Sequence, residues 1–227
     1  MKVLILGAIG FIGFPMAQAF VRAGHTVYGL ACTAAKAKLL ATEENAWTHL
    51  IPTLDVPSPR TLRAAAAAQE TRSANAPLLS YIHTSGTWVH GDNRRNAVTD
   101  TTPITAPLAI MSWLPALEQR VVRAPGGRYA LIHVEDLADL YARAVEKASL
   151  VGGQIFDASN PNTESVDELH QKLVDFSGGQ GPYEYSKPAN PLEGGISSTA
   201  LVRPYLANAL LGWSAKKQGL TEGLENY

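Results

Sequence analysis

The stretch Lys2-Val-Leu-Ile-Leu-Gly-Ala-Ile-Gly-Phe-Ile-Gly13 constrains this chain more than any other. Val3 to Leu6 form a short apolar run suited to a strand buried on both faces. Three glycines follow at positions 7, 10 and 13. Beyond them Ile12, Met16, Phe20 and Ala23 recur at helical spacing, and Gly24 suits the position just past a helix end. His25-Thr-Val-Tyr-Gly-Leu30 then reads as a second strand, so residues 2–30 form a β–α–β unit.

A glycine-rich turn between a buried strand and a helix has one well-defined chemical use. Without Cβ atoms the backbone can approach a diphosphate closely, and the N–H groups at the helix start point toward it. The positive end of the helix dipole favours the anion. The spacing is G-x-x-G-x-x-G, not the G-x-G-x-x-G of the common dinucleotide fingerprint. Two readings fit: a dinucleotide-binding loop, or a tight strand–helix turn with no ligand.

Gly7-Ala-Ile-Gly-Phe-Ile-Gly13 resembles the cofactor loop of the extended short-chain dehydrogenase/reductase superfamily, which includes NAD(P)-dependent epimerases and dehydratases. The family usually has Thr where this chain has Ile9, so a hydroxyl that ties the loop together is lost. The resemblance implies an α/β fold, a reduced doubly wound parallel sheet of Rossmann type with a small C-terminal lobe. It also implies cofactor contacts from Gly7, Ile9, Gly10, Phe11, Ile12 and Gly13, joined by Lys36 and Thr84. Residues 1–124 are the expected dinucleotide-binding part. Residues 125–227 are expected to complete the fold and form the substrate-side lobe.

The end of the second strand ordinarily selects the cofactor: an acid there holds the ribose hydroxyls of NAD, a nearby Arg the phosphate of NADP. Ala31-Cys-Thr-Ala-Ala-Lys36 carries neither. Lys36, Lys38 and Thr33 suit a phosphate, which leans the choice to NADP over NAD, though lysines in a helix's first turns also read as solvated surface. Ala34–Glu44 and Arg60–Glu70 are rich in helix formers. Between them, Leu54–Val56 starts a strand that stops at Pro57, and the strand that relatives carry near residues 44–50 is expected to be missing.

The segment Leu78-Leu-Ser-Tyr-Ile-His-Thr-Ser-Gly-Thr-Trp-Val-His-Gly91 resembles the family's active-site strand, which ends in Ser/Thr residues and Val-Tyr-Gly. A strand at Leu79–His83 would end in the hydroxyls of Thr84, Ser85 and Thr87. The family's catalytic Ser/Thr falls on Gly86, so Ser85 and Thr87 are the candidates to bond a substrate oxygen. A polar strand-end turn accounts for the cluster equally well. The family's Tyr-x-x-x-Lys pair, in which a tuned Tyr moves the proton, aligns with Ile110 and Leu114, and neither can do so. Tyr183-Glu-Tyr-Ser-Lys187 has the spacing but sits beside Pro182 and Pro188, out of the helical setting the motif needs.

Tyr129-Ala-Leu-Ile-His-Val-Glu-Asp-Leu-Ala138 resembles a late family signature. Leu137, Leu140, Tyr141, Ala144 and Val145 give the helix after it an apolar face. Glu135 and Asp136 suit its N-terminus electrostatically, a structural role, and His133 reads as an anchor. Gln154–Asp157 is a further expected strand. Ser165-Val-Asp-Glu168 makes a capping box for a helix turning Val166, Leu169, Leu173 and Val174 inward. A last helix is expected around Leu201–Leu211.

At 227 residues, 46% apolar and 17% charged, the chain can bury one substantial core. A formal charge of -1 offers no electrostatic case for nucleic acid or an anionic membrane. Apolar runs are too short to span a bilayer, no signal-peptide pattern is visible, and the single Cys excludes an intrachain disulfide. The expected setting is cytoplasmic and the expected partner a small molecule, with oligomeric state open. Function then reads two ways. One is an NAD(P)-dependent oxidoreductase or epimerase of weakened activity on a small hydroxyl or carbonyl metabolite. The other is a non-catalytic dinucleotide-binding sensor or degenerate paralogue.

Overall fold

The computed structural model describes residues 1–31, 33–44, 47–50, 58–84, 86–102, 108, 127–178, 185 and 187–226. The chain divides into two compact units, Met1–Ser85 with Leu137–Gly153, and Gly86–Asp136 with Gln154–Tyr227. Among the described residues no helix is long and apolar enough to cross a membrane.

The first unit opens with the β–α–β arrangement that its apolar runs and glycines dictate. Strand β1 (Lys2–Ile5) leads through the glycine turn to helix α1 (Gly13–Arg22) and strand β2 (Thr26–Ala31). The two strands pair in parallel, Lys2 beside Thr26 and Ile5 beside Gly29. Helix α2 (Ala34–Glu44) matches its composition, and strand β3 (Trp47–Leu50) pairs in parallel with β2. This corrects one expectation: the strand thought to be missing near residues 44–50 is present. Its residues give no alternating signal, and the free edge of β2 supplies the pairing. Helix α3 is Ser58–Glu70; residues 51–57, which hold the expected Leu54–Val56 strand, lie outside the described ones.

Ala17 and Phe20 of α1 pack with Ile5, Val27 and Tyr141 in one apolar cluster, flanked by Val3, Phe14, Met16, Leu137 and Val145. Burying a side chain such as Phe20 contributes about 1.5–3 kcal/mol. Tyr141, Leu137 and Val145 belong to helix α4 (Val134–Glu146), whose apolar face falls where its spacing predicts. Strand β1 is buried on one face alone. Ile5 is buried, whereas Leu4 and Leu6 are 60% and 42% exposed, because α1 and α4 pack against the opposite side of the strand.

No strand forms at Leu79–His83. Its polar groups turn instead to α3: Leu79 N–H donates to Gln69 Oε1 at 2.6 Å, and the Tyr81 and Thr61 hydroxyls bond at 2.7 Å. Side-chain partners thus replace a β ladder.

Among its described residues the second unit has little regular sheet. Strands β4 (Arg128–Tyr129) and β5 (Glu164–Ser165) form a two-residue antiparallel ladder. Helix α5 (Val166–Phe176) starts as its capping sequence predicts, with Ser165 Oγ accepting from Glu168 N–H. Val166 and Leu169 are buried, but Leu173 is 40% exposed, so the inward face is shorter than its spacing suggests. Helices α6 (Pro191–Ile196) and α7 (Leu206–Leu211) follow, the latter a trimmed form of the helix expected from Leu201. Gln154–Asp157 forms no strand, since Asp157 N–H goes to the Asp100 carboxylate at 3.2 Å.

The glycine turn sets where α1 begins. A Cβ on Gly13 would lie 2.1 Å from the Gly7 carbonyl oxygen, and Gly7 itself has φ +77°. Gly24, past the end of α1, also has φ +77° but nothing within 4 Å of its would-be Cβ. Gly13→Ala should therefore cost about 3 kcal/mol, the upper end for overpacking. Gly24→Ala should cost only left-handed backbone strain, about 1–2 kcal/mol. Urea denaturation of the two variants checks the order.

Candidate functional site

Within the first unit the candidate site is built on the turn joining β1 to α1. Gly10 N–H donates to the Gly7 carbonyl at 2.9 Å and Phe14 N–H to the Gly10 carbonyl at 3.0 Å, which closes the loop on itself. Helix α1 has no side-chain N-cap and no acidic residue in its first turn. Of the two donors that a side-chain cap would ordinarily reach, the Phe14 N–H is already given to Gly10 and Pro15 has no N–H, so the donors left to a ligand are backbone groups of the loop before Phe14. That donor set matches the oxygens of a diphosphate in charge and in hydrogen-bonding sense.

Each loop residue contributes differently. Gly13 is demanded by packing and Gly7 by its backbone angle. A Cβ on Gly10 would meet the Gly7 oxygen at 3.2 Å, a tight but adjustable contact, so Gly10 is the loop position nearest to being free for a ligand's approach. Ile9 packs against the apolar cluster, and Ala8 is fully buried in it. Phe11 is 84% exposed and Ile12 37%, so these two offer the site backbone groups more than packed side chains.

Lys36 is exposed in the first turn of α2, just beyond the end of β2. Thr33 is occupied differently from the sequence expectation: its Oγ1 accepts from Lys36 N–H at 3.3 Å, which caps α2. Thr84 is exposed, and its hydroxyl pairs with the Tyr141 hydroxyl. Tyr141 in turn shares an apolar cluster with Ile5 and Ala8. Tyr141 was legible in the sequence as a core residue of α4, but nothing in its spacing announces its hydroxyl's partner. Burial raises its phenol above the ordinary pKa of 10.0, with the Thr84 bond opposing.

The second unit holds the rest of the sequence candidates. Thr87 opens a short 3₁₀ turn, Thr87–His90, and is half-buried. Ser85, Ile110, Leu114 and Tyr183 lie outside the described residues, while Lys187 is exposed. His90, standing where the family has Tyr, is committed to a buried pair. Its Nε2 lies 3.0 and 3.1 Å from the two Asp157 carboxylate oxygens, with the side chains 5% and 6% exposed. His133 Nδ1 accepts from Glu135 N–H at 3.1 Å and so anchors the start of α4. Asp136 is buried and structural, as expected, its Oδ2 accepting from Lys216 and Lys217 N–H at 2.9 and 2.8 Å. The Asp136 carbonyl accepts from Trp213 Nε1 at 3.0 Å. Among the described residues no group of three or more His, Cys, Asp or Glu could hold a metal ion.

Burial lifts the Asp157 carboxyl above its ordinary pKa of 3.8; His90 opposes this, and nearby Asp100 adds to it. The folded chain thus holds that proton more tightly than the unfolded chain does. The stability linked to this group is complete below 3.8 and is lost as pH rises through the raised folded value. Denaturation of Asp157→Asn and the parent across that window should show the stability gap moving in the variant's favour as pH rises. A gap moving the other way would mean that attraction to His90 outweighs burial.

No protein-family model matches the chain, and no curated protein matches it. Solved structures do. A conserved protein of unknown function from Silicibacter pomeroyi superposes with a TM-score of 0.70 at 18% identity, covering 99% of this chain and 96% of that one. UDP-glucose 4-epimerase from Stenotrophomonas maltophila, with bound NAD and formylated UDP-arabinopyranose, gives 0.67 at 17%, covering 98% and 95%. The human epimerase family protein SDR39U1 with NADPH gives 0.62 at 15%, covering 100% and 98%. Likeness at this level and over this length, with the parallel β–α–β start and its glycine turn, identifies the architecture: the chain has a Rossmann-type α/β fold, the fold of the epimerase structures it superposes on.

Proposed function

We propose that this chain binds a nicotinamide dinucleotide, with the diphosphate against the glycine turn at the start of α1. The observation that carries this reading is the turn itself, whose glycines keep Cβ atoms away at the start of a helix with no acid in its first turn. Support comes from structures of the same fold that hold NAD or NADPH. Gly7, Ile9, Gly10, Phe11, Ile12 and Gly13 form the loop, and Lys36 and Thr84 are the further cofactor contacts in this reading. Exposed Lys36, with no acid in the first turn of α2, favours NADP over NAD. When bound, the cofactor supplies hydride chemistry. The chain's part is to hold it, and Ser85 and Thr87 are the sequence's candidates to bond a small hydroxyl or carbonyl metabolite.

Nucleotide fluorescence tests the binding step. Wild-type protein should bind NADH or NADPH, and Gly10→Val should weaken binding at least tenfold, ~1.4 kcal/mol. Circular dichroism controls for folding, because the new Cβ must displace the Gly7 oxygen slightly. If neither nucleotide binds wild type, or both proteins bind equally, the loop is a structural turn alone.

A second reading, a non-catalytic sensor or degenerate paralogue, is favoured by a specific gap. Ile110 and Leu114 occupy the family's Tyr and Lys places in sequence, and His90 is committed to Asp157. General acid–base help is worth ~10²–10⁴ in rate, so turnover should be slow even with cofactor bound. Ile110→Tyr with Leu114→Lys, if folded, should raise reductase activity on a panel of simple carbonyl compounds. High wild-type turnover indifferent to this double change would place the proton donor elsewhere.

A further inference from the structure

A tyrosine that the family motifs leave out sits directly behind the candidate site. Tyr141 is 8% exposed, on the apolar face of α4, in one cluster with Ile5, Ala8 and Phe20. Phenylalanine would fill that space as well, so packing alone does not call for the hydroxyl. A buried phenol needs a partner, and Tyr141 has it in Thr84. Thr84 is exposed, so its side chain is also open to a ligand.

We propose that Tyr141 is a positioning residue for dinucleotide binding: its phenol donates to Thr84 Oγ1 and so turns Thr84's own hydroxyl proton outward, toward an oxygen acceptor of the bound dinucleotide. This rests on the reading of the glycine loop as the dinucleotide site. The direction follows from hydroxyl chemistry. A phenol is the stronger acid, and its ring withdraws the lone pair, so it donates better and accepts worse than an aliphatic alcohol. A hydroxyl that already accepts one strong bond becomes a better donor itself. Ala8 of the loop and Tyr141 belong to one apolar cluster, so the phenol that holds Thr84 shares its packing with the turn.

The test is a double-mutant cycle on affinity for NADH or NADPH, whichever wild type binds more tightly. Tyr141→Phe and Thr84→Val should each weaken binding about fivefold, the scale of one hydrogen bond. The double variant should lose no more than either single change, because both remove the same donor. Thr84→Ser, which keeps the hydroxyl, should bind as wild type does. Tyr141→Phe binding like wild type, or losses that multiply to about twenty-five-fold in the double variant, would overturn the proposal and leave the dinucleotide site standing. Wild type binding neither nucleotide would overturn the site and the proposal together. Should Tyr141→Phe not fold, Thr84 decides: unchanged affinity in Thr84→Val refutes the proposal, and a fivefold loss restored by Thr84→Ser supports it.

Discussion

The approach of Gly13 to the Gly7 carbonyl governs the first unit. Helix α1 begins almost on top of the turn that leaves β1, with no room for even a methyl group between them. This fixes the start of α1 and, through Ala17 and Phe20, the face it lays on Ile5 and Val27. The parallel register of β1 and β2 follows, because the helix returns the chain to place Lys2 beside Thr26. The same missing side chains leave the loop backbone open to close approach. One steric requirement thus serves folding and the candidate site together.

The second unit depends on a different device. Its ladder is two residues long on each strand, so many backbone N–H groups find no strand partner. Carboxylates take them instead. Asp100 accepts from the N–H groups of Asp157, Tyr205 and Leu206, which caps α7 from a distance of over a hundred residues in sequence. Glu164 accepts from Leu220 and Thr221, Glu193 from Ala189, and Asp92 from Thr199. Charge-assisted bonds of this kind are stronger than neutral ones. They hold irregular backbone in place where the sheet does not.

These two devices bear on the chemistry. The hydroxyl at Thr84 is held by a buried phenol in the first unit, while His90 in the second is held by a buried carboxylate. A side chain locked to a buried partner is well placed to orient something and poorly placed to exchange protons with a substrate. That fits a chain with the fold of the epimerase structures whose sequence has Ile110 and Leu114 where the resemblance expects a Tyr and a Lys.

The β–α–β start, helices α1 to α5 and the Ser165 cap were legible in the sequence, because each is set by short-range rules: glycine freedom, helical spacing and local capping. The structural roles of Asp136 and His133 were legible too, from their place at a helix start. Other features were decided by partners far along the chain. Trp47–Leu50 became a strand because β2 offered an edge, and Leu79–His83 did not because α3 offered Gln69 and Thr61. Gln154–Asp157 lost its ladder to Asp100. The Thr84–Tyr141 pair spans 57 residues and the His90–Asp157 pair 67. No periodicity records such a meeting. The sequence by itself determined the β–α–β start and the glycine turn, since a missing Cβ acts on its nearest neighbours. Tertiary structure decided which hydroxyl and which imidazole stay open to a ligand, since that depends on what the folded chain buries against them.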